Sequence, residues 1–275
     1  MTTAIDFYTL HPISAEIVLK RLEAARGSLD GVAPEELWAH DQDHYGGLDA
    51  NAALAERAGL KPGMKVADFC AGLGGPARWQ AARHGVEVTG VELTPARVAG
   101  AGRLTALVGL EGRVRVIEGD VTATPLEAGA FDAVLSQEAF LHVPDKGAVA
   151  AEAFRILKPG GRLAFTDWIA HQPLSATDAD LMRRGMAVAG LLSLEGWRAV
   201  LEAAGFEAVS AEDLTAEWGP ILRARLAMFQ AMREEAAARG TPAGHDAFYE
   251  SYVRFVALID AGRLGGGRFA ARKPG

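Results

Sequence analysis

The sequence predicts an α/β fold built on a doubly wound, mostly parallel sheet. Three observations carry that expectation. Short apolar runs alternate with longer stretches of helical periodicity through the middle of the chain. One run, V-A-D-F-C, opens at once into A-G-L-G-G-P-A-R over residues 66–78, a strand, a glycine turn and a helix start. The next run, V-E-V-T-G-V-E-L-T over residues 86–94, closes on an acid, Glu92, about twenty residues beyond that turn.

The elements follow in order. Residues 1–60 read as helical, with Ile13, Ile17, Val18 and Leu22 on one face. D-Q-D-H-Y-G-G at 41–47 interrupts them before a helix at 50–58. The first strand spans 65–69. Its helix spans 76–83, with Pro76 at a first-turn position that needs no N–H and Gly85 as the stop. The second strand spans 87–92, and Thr94-Pro95 starts a helix that runs to about 108. Strands at 114–118 and 133–136 are followed by a helix at 146–157, the turn Pro159-Gly160-Gly161 and a fifth strand at 162–167. Residues 171–192 form an insertion rich in Ala and Met, expected to be a helical cap. A helix at 194–204 ends at Gly205 and a sixth strand spans 206–214. Helices at 216–239 and 243–261 carry apolar stripes, Leu222, Leu226, Phe229, Met232 and then Phe248, Tyr252, Phe255, Val256, which are expected to pack inward. A last strand at 263–271 completes seven. The organisation is therefore a helical N-terminal lid, 1–60, before a domain at 61–275 with cap insertions at about 171–192 and 216–261.

The glycine turn has a specific chemistry. Glycines there let a ligand approach the backbone where a Cβ would collide. Asp68 stands just before them, and the third glycine of a dinucleotide fingerprint is absent. An acid at that point repels phosphate and suits a cationic ligand. Glu92 stands where an acid chelates ribose hydroxyls. A nucleoside without phosphate that carries positive charge points to S-adenosylmethionine, and against a nicotinamide oxidoreductase.

Composition narrows the rest. The chain has 275 residues, 49% of them hydrophobic, enough for one large domain or a core with a cap. A formal charge of −7 argues against a nucleic-acid surface. The one cysteine, Cys70, allows no intrachain disulfide and fits a reducing cytoplasm. The opening M-T-T-A-I-D-F-Y does not read as a signal peptide, and no apolar run approaches the ~20 residues that span a bilayer. No metal is expected, because the histidines and the cysteine lack ligand spacing.

The ordered series D-F-C-A-G-L-G-G, G-V-E-L-T, E-G-D-V-T, F-D-A-V-L-S-Q-E-A-F-L-H and L-K-P-G-G-R-L resembles that of class I S-adenosylmethionine-dependent methyltransferases. S-Q-E-A-F-L-H is similar to the branch acting on sarcosine, dimethylglycine and phosphoethanolamine. The resemblance covers roughly residues 59–168. It implies a seven-stranded sheet with an antiparallel last strand, S-adenosylmethionine as cofactor and a small-molecule acceptor, most simply an amine. It implies cofactor contacts from Asp68, Gly72, Gly74 and Glu92, from Asp120 and Val121 at the adenine, and from Gln137. It implies that Tyr45 closes near the sulfonium and that Glu138 and His142 belong to the active site. The family more often has glycine where Cys70 stands.

Glu138 and His142 are four apart and share a face if that segment is helical, so Glu138 is expected to orient His142 as base or positioning group. A surface ion pair is the alternative. His44 is expected to be structural or solvent-facing rather than catalytic, and Trp168 to wall a cationic substrate or to pack in the core. Methylation of oxygen, sulfur or carbon stays open beside nitrogen, and a homodimer stays open beside a monomer.

Overall fold

The computed structural model describes residues 4–9, 13–238 and 246–275. Seven strands form one sheet in the order β3-β2-β1-β4-β5-β7-β6. These are β1 (Lys65–Phe69), β2 (Glu87–Glu92), β3 (Val114–Glu118), β4 (Phe131–Gln137), β5 (Leu157–Ala170), β6 (Glu207–Asp213) and β7 (Leu264–Arg272). The first five pair in parallel, and β7 runs antiparallel to both β5 and β6. The central strands are buried on both faces, which is why they read as unbroken apolar runs rather than alternating ones.

The strand order reverses between β1 and β4. Loops leaving the carboxyl ends of β1 and β4 diverge to opposite faces there and leave a crevice. Parallel register sets Asp68 beside Gly90 on one side and beside Leu135 on the other, so the ends of β1, β2 and β4 come together.

Helices cover both faces. On one side Phe69, Phe140, Phe165, Trp197 and Phe269 form the largest cluster, under α7 (Lys146–Ile156) and α9 (Leu194–Ala203). On the other, Leu54, Val66, Val88 and Leu135 pack beneath α4 (Gly47–Ala58) and α5 (Gly75–His84). Near the N terminus α1 (Ala4–Thr9), α2 (Ala15–Arg26) and α3 (Pro34–Leu37) precede α4, and α2 packs on α6 (Pro95–Leu107) through Val18, Leu22 and Leu104. After β5 come α8 (Ala176–Met186), α10 (Thr215–Ala238) and α11 (Asp246–Asp260), joined to the sheet's end by Trp168, Trp218, Leu222 and Phe255.

Differences from expectation have local causes. β5 runs fourteen residues, because β7 continues to pair with it as far as Ala170. The Pro159-Gly160-Gly161 turn is present as an irregularity inside it: Phe131 faces Leu157, but Ala133 already faces Arg162. The start of the helix expected at 243 lies outside the described residues. No helix among the described residues is long and apolar enough to cross a membrane.

Candidate functional site

A cavity of about 500 Å³ opens at the carboxyl ends of β1, β2 and β4, within the usual range for small-ligand clefts. Asp68, Glu92, Asp120, Val121, Gln137 and Glu138 line it, together with Tyr45 and His142. Gly72 and Gly74 instead shape the turn from behind. Their φ angles, +55° and +75°, lie in the left-handed region that glycine enters freely. Gly75 lies on the wall, where a Cβ would stand 2.0 Å from the Asp41 carbonyl oxygen.

Glu92 is locked in place. One oxygen accepts from the Gly72 N–H at 3.0 Å and the other from the Thr94 N–H at 2.9 Å. Each keeps a lone pair for a further donor, the arrangement two vicinal hydroxyls need. Burial, then the charge of Glu92, pushes the Asp68 carboxyl up to about 7. Its Oδ2 is buried without a partner, as is the Gln137 Nε2. Polar atoms orphaned on a cavity wall are costly unless a ligand satisfies them. Asp120 is exposed at the rim and its Oδ1 accepts from the Thr122 N–H at 2.8 Å and hydroxyl at 2.7 Å, so it forms its own turn while bordering the cavity.

Two non-glycine residues with positive φ flank the crevice: Cys70 after β1 at +57° and Glu138 after β4 at +47°. Such strain persists where the surroundings over-determine it, commonly at functional sites. Burial, with Glu92 and Asp68 nearby, pushes the Cys70 thiol well above its ordinary range, so it is a poor nucleophile. Glu138 Oε2 accepts from the Tyr45 N–H at 2.6 Å and Oε1 from the Thr166 hydroxyl at 2.9 Å. Burial pushes its carboxyl up to about 8.

The expected pairing of Glu138 with His142 is corrected. The segment is a kinked strand end followed by a single 3-10 turn, Phe140–His142, not a helix carrying both on one face. His142 Nδ1 lies 3.1 Å from the Ala187 carbonyl oxygen and Nε2 lies 2.8 Å from the Tyr8 hydroxyl. A carbonyl only accepts, so Nδ1 carries the proton and Nε2 receives the Tyr8 O–H.

Tyr45 hangs from Glu138 at the cavity wall. Its ring stacks on Trp168 at 6.3 Å and meets Trp218 edge-on at 5.0 Å, with the Arg225 guanidinium 4.5 Å above it. Trp168 packs in the core, with Phe255 stacked 3.6 Å away, and also lines the cavity. His44 is buried on the cavity wall: its ring nitrogens lie 3.2 Å from the Tyr45 carbonyl oxygen and 3.0 Å from Gln42 Oε1, and burial lowers it to about 4.

The 41–47 segment is anchored by a buried ion pair, Asp41–Arg78, at 2.8 Å, with both side chains at most 1% exposed. Removing one partner of such a pair typically costs about 3–5 kcal/mol. Sequence reasoning missed Asp41–Arg78, Tyr8, Arg97 and Arg225. Tyr8 lies outside any periodic pattern, and Arg97 (4.6 Å from the Tyr8 ring, 3.2 Å from Asp43) reads as an ordinary helix arginine. Among the described residues no group of three His, Cys, Asp or Glu side chains could hold a metal.

A family model described as a methyltransferase domain matches residues 67–165. The chain is 30% identical over 254 residues to the 27-O-demethylrifamycin SV methyltransferase of Amycolatopsis mediterranei, covering 87% of this chain and 92% of that one. It is 34% identical over 169 residues to a sterol 24-C-methyltransferase of Gibberella zeae, covering 59% of this chain and 44% of that one. It is 30% identical over 192 residues to phosphoethanolamine N-methyltransferase 3 of Arabidopsis thaliana, covering 69% and 38%. The chain thus spans less than half the length of the latter two. Among solved structures, the phosphoethanolamine N-methyltransferase 2 of Haemonchus contortus in complex with S-adenosyl-L-methionine superposes with a TM-score of 0.76 at 24% identity, covering 98% of this chain and 60% of that one.

Proposed function

The chain belongs to the class I S-adenosylmethionine-dependent methyltransferases, and on that ground we propose that its acceptor is a small amine, methylated on nitrogen. The reading is supported by the 30% identity over 192 residues with a phosphoethanolamine N-methyltransferase, and the Tyr8–His142 pair, 2.8 Å apart, opens onto the cavity that Glu92, Asp68 and Gln137 line.

The residues present fit the cofactor: a Glu92 fixed with spare lone pairs, and buried polar atoms on Asp68 and Gln137 awaiting partners. Glu92 would hold the ribose, Asp120 and Val121 the adenine, and Asp68 and Gln137 the methionine end, with Gly72 and Gly74 shaping the turn. When bound, S-adenosylmethionine supplies an electrophilic methyl on a cationic sulfur. Tyr45 and the Glu138 carboxyl would border that centre and exclude water. His142 Nε2, which carries no proton of its own, takes the Tyr8 hydroxyl proton as Tyr8 takes one from the acceptor nitrogen. A positioned base of this kind is typically worth about 10²–10⁴-fold in rate. Holding acceptor and cofactor in line adds an entropic advantage of up to roughly 7–11 kcal/mol. Residues 1–60 act as the lid, bringing Tyr8 and Tyr45 over the cavity and leaving 61–275 as the body with its caps.

A hydroxyl acceptor is the second reading. It is favoured by the near full-length match to an enzyme named for an oxygen acceptor, and the same pair can take a hydroxyl proton. Incubation with methyl-labelled S-adenosylmethionine and a mixture of amines and phenols, followed by mass spectrometry, tests both. Label on nitrogen supports the proposal and label on oxygen only replaces it with the second reading. No labelled product, with cofactor binding intact, would refute both.

A further inference from the structure

We propose that the non-reacting part of the acceptor is an uncharged apolar body, aromatic or long-alkyl, and not a carboxylate or phosphate. This rests on the methyl-transfer reading. One face of α10 turns toward the cavity: Arg225, Met228, Phe229 and Met232 follow at helical spacing and all line it. The sequence places Met232 in a packing stripe, yet it is 55% exposed and Met228 is 49% exposed. Large apolar side chains on a concave wall, uncovered in the free protein, are suited to being covered by a ligand. From that face, the rings of Phe229 and Phe248 are 5.5 Å apart, those of Phe248 and Phe7 6.1 Å apart, and those of Phe7 and His142 6.1 Å apart. The apolar lobe therefore runs without a break to the proposed proton acceptor, with Met186 of α8 on the same wall.

Charge points the same way. Recognition of a carboxylate or phosphate is best served by guanidinium forks with N–H groups to spare. Arg225 lies on the Tyr45 ring and donates to the His44 carbonyl at 3.0 Å. Arg97 has its Nε and Nη1 buried without a hydrogen-bond partner, but the Tyr8 ring and Asp43 hold it at the cofactor turn, beside Gly72.

The test uses full-length protein labelled with 13C at the methionine methyls, with and without saturating S-adenosylhomocysteine. The probes are 4-phenylbutylamine and 4-hexylphenol on one side, and sarcosine and phosphoethanolamine on the other. The apolar probes should shift Met186, Met228 and Met232 and leave Met64, which is off the cavity wall, unmoved. In the double variant Met228→Glu/Met232→Glu the apolar probes should bind at least tenfold more weakly while S-adenosylhomocysteine affinity is unchanged. Sarcosine or phosphoethanolamine moving these signals while the apolar pair does not would overturn the inference, as would wild-type affinity in the double variant. Failure of S-adenosylhomocysteine to bind would instead overturn the methyl-transfer reading. The methionine shifts report on the lobe in either case.

Discussion

The buried Asp68 carboxyl predicts a pH dependence that separates S-adenosylmethionine from S-adenosylhomocysteine. The two ligands differ by the methyl group and the positive charge on sulfur. In the free protein burial holds Asp68 near 7, so at pH 6 about nine molecules in ten carry it protonated. In the proposed placement of the cofactor's methionine end at Asp68, a cationic sulfur nearby would favour the carboxylate. If the complex requires that ionised form, the apparent Kd carries a factor of 1 + 10^(7 − pH), which is about 11 at pH 6 and about 1.1 at pH 8. Affinity for S-adenosylmethionine should therefore tighten about tenfold across that range, or about 1.4 kcal/mol. Glu138, held near 8, would steepen the rise if it too ionises. The neutral thioether should show a much flatter profile. Isothermal titration in two buffers of different ionisation enthalpy would reveal the matching proton release. A flat profile for S-adenosylmethionine, or an equal slope for both ligands, would refute the reasoning. The sign for stability follows from the same groups. Asp68, Glu138 and Asp167 all have folded-state values raised above the ordinary carboxyl range, so the fold favours their protonated forms. Their stabilising contribution is complete below ordinary carboxyl values and is lost as pH rises through about 7 to 8. The ligand-free Tm should fall between pH 5.5 and 8.5, and saturating S-adenosylmethionine should reduce that fall.

Three substitutions extend the test. Glu92→Gln removes a charged acceptor and should raise the S-adenosylhomocysteine Kd at least tenfold, on the order of 1.5 kcal/mol or more for a charge-assisted bond; unchanged calorimetric binding would take Glu92 out of the site. His142→Ala should lower turnover by about 10²–10⁴-fold and leave cofactor affinity alone, whereas normal turnover would reduce the Tyr8–His142 bond to a structural contact. Arg78→Ala strands the buried Asp41 carboxylate and should cost about 3–5 kcal/mol in urea unfolding; a loss below about 1 kcal/mol would mean that water reaches the pair.

Much of the fold was legible in the sequence because parallel strands buried on both faces leave continuous apolar runs. The acids Asp68, Glu92 and Asp120 were legible for a related reason: each stands at or just beyond a strand end, where periodicity stops. Side-chain partnerships across the fold were not legible. Glu138 and His142 share helical spacing, but the chain kinks at Glu138 and forms only one tight turn, so spacing gave the wrong partners. His142 finds Tyr8, 134 residues away, and Glu138 finds the Tyr45 backbone, 93 residues away. Met232 follows the spacing of a packing residue, yet it lines the cavity and is 55% exposed. Periodicity identifies an apolar face without saying what covers it.

The most direct measurement is a crystal structure of the chain with S-adenosylhomocysteine. Both ribose hydroxyls should lie within hydrogen-bond distance of Glu92, the adenine should border Asp120 and Val121, and the sulfur should point toward Glu138 and the Tyr8–His142 pair. A ligand seated elsewhere, or a sugar turned away from Glu92, would contradict the account.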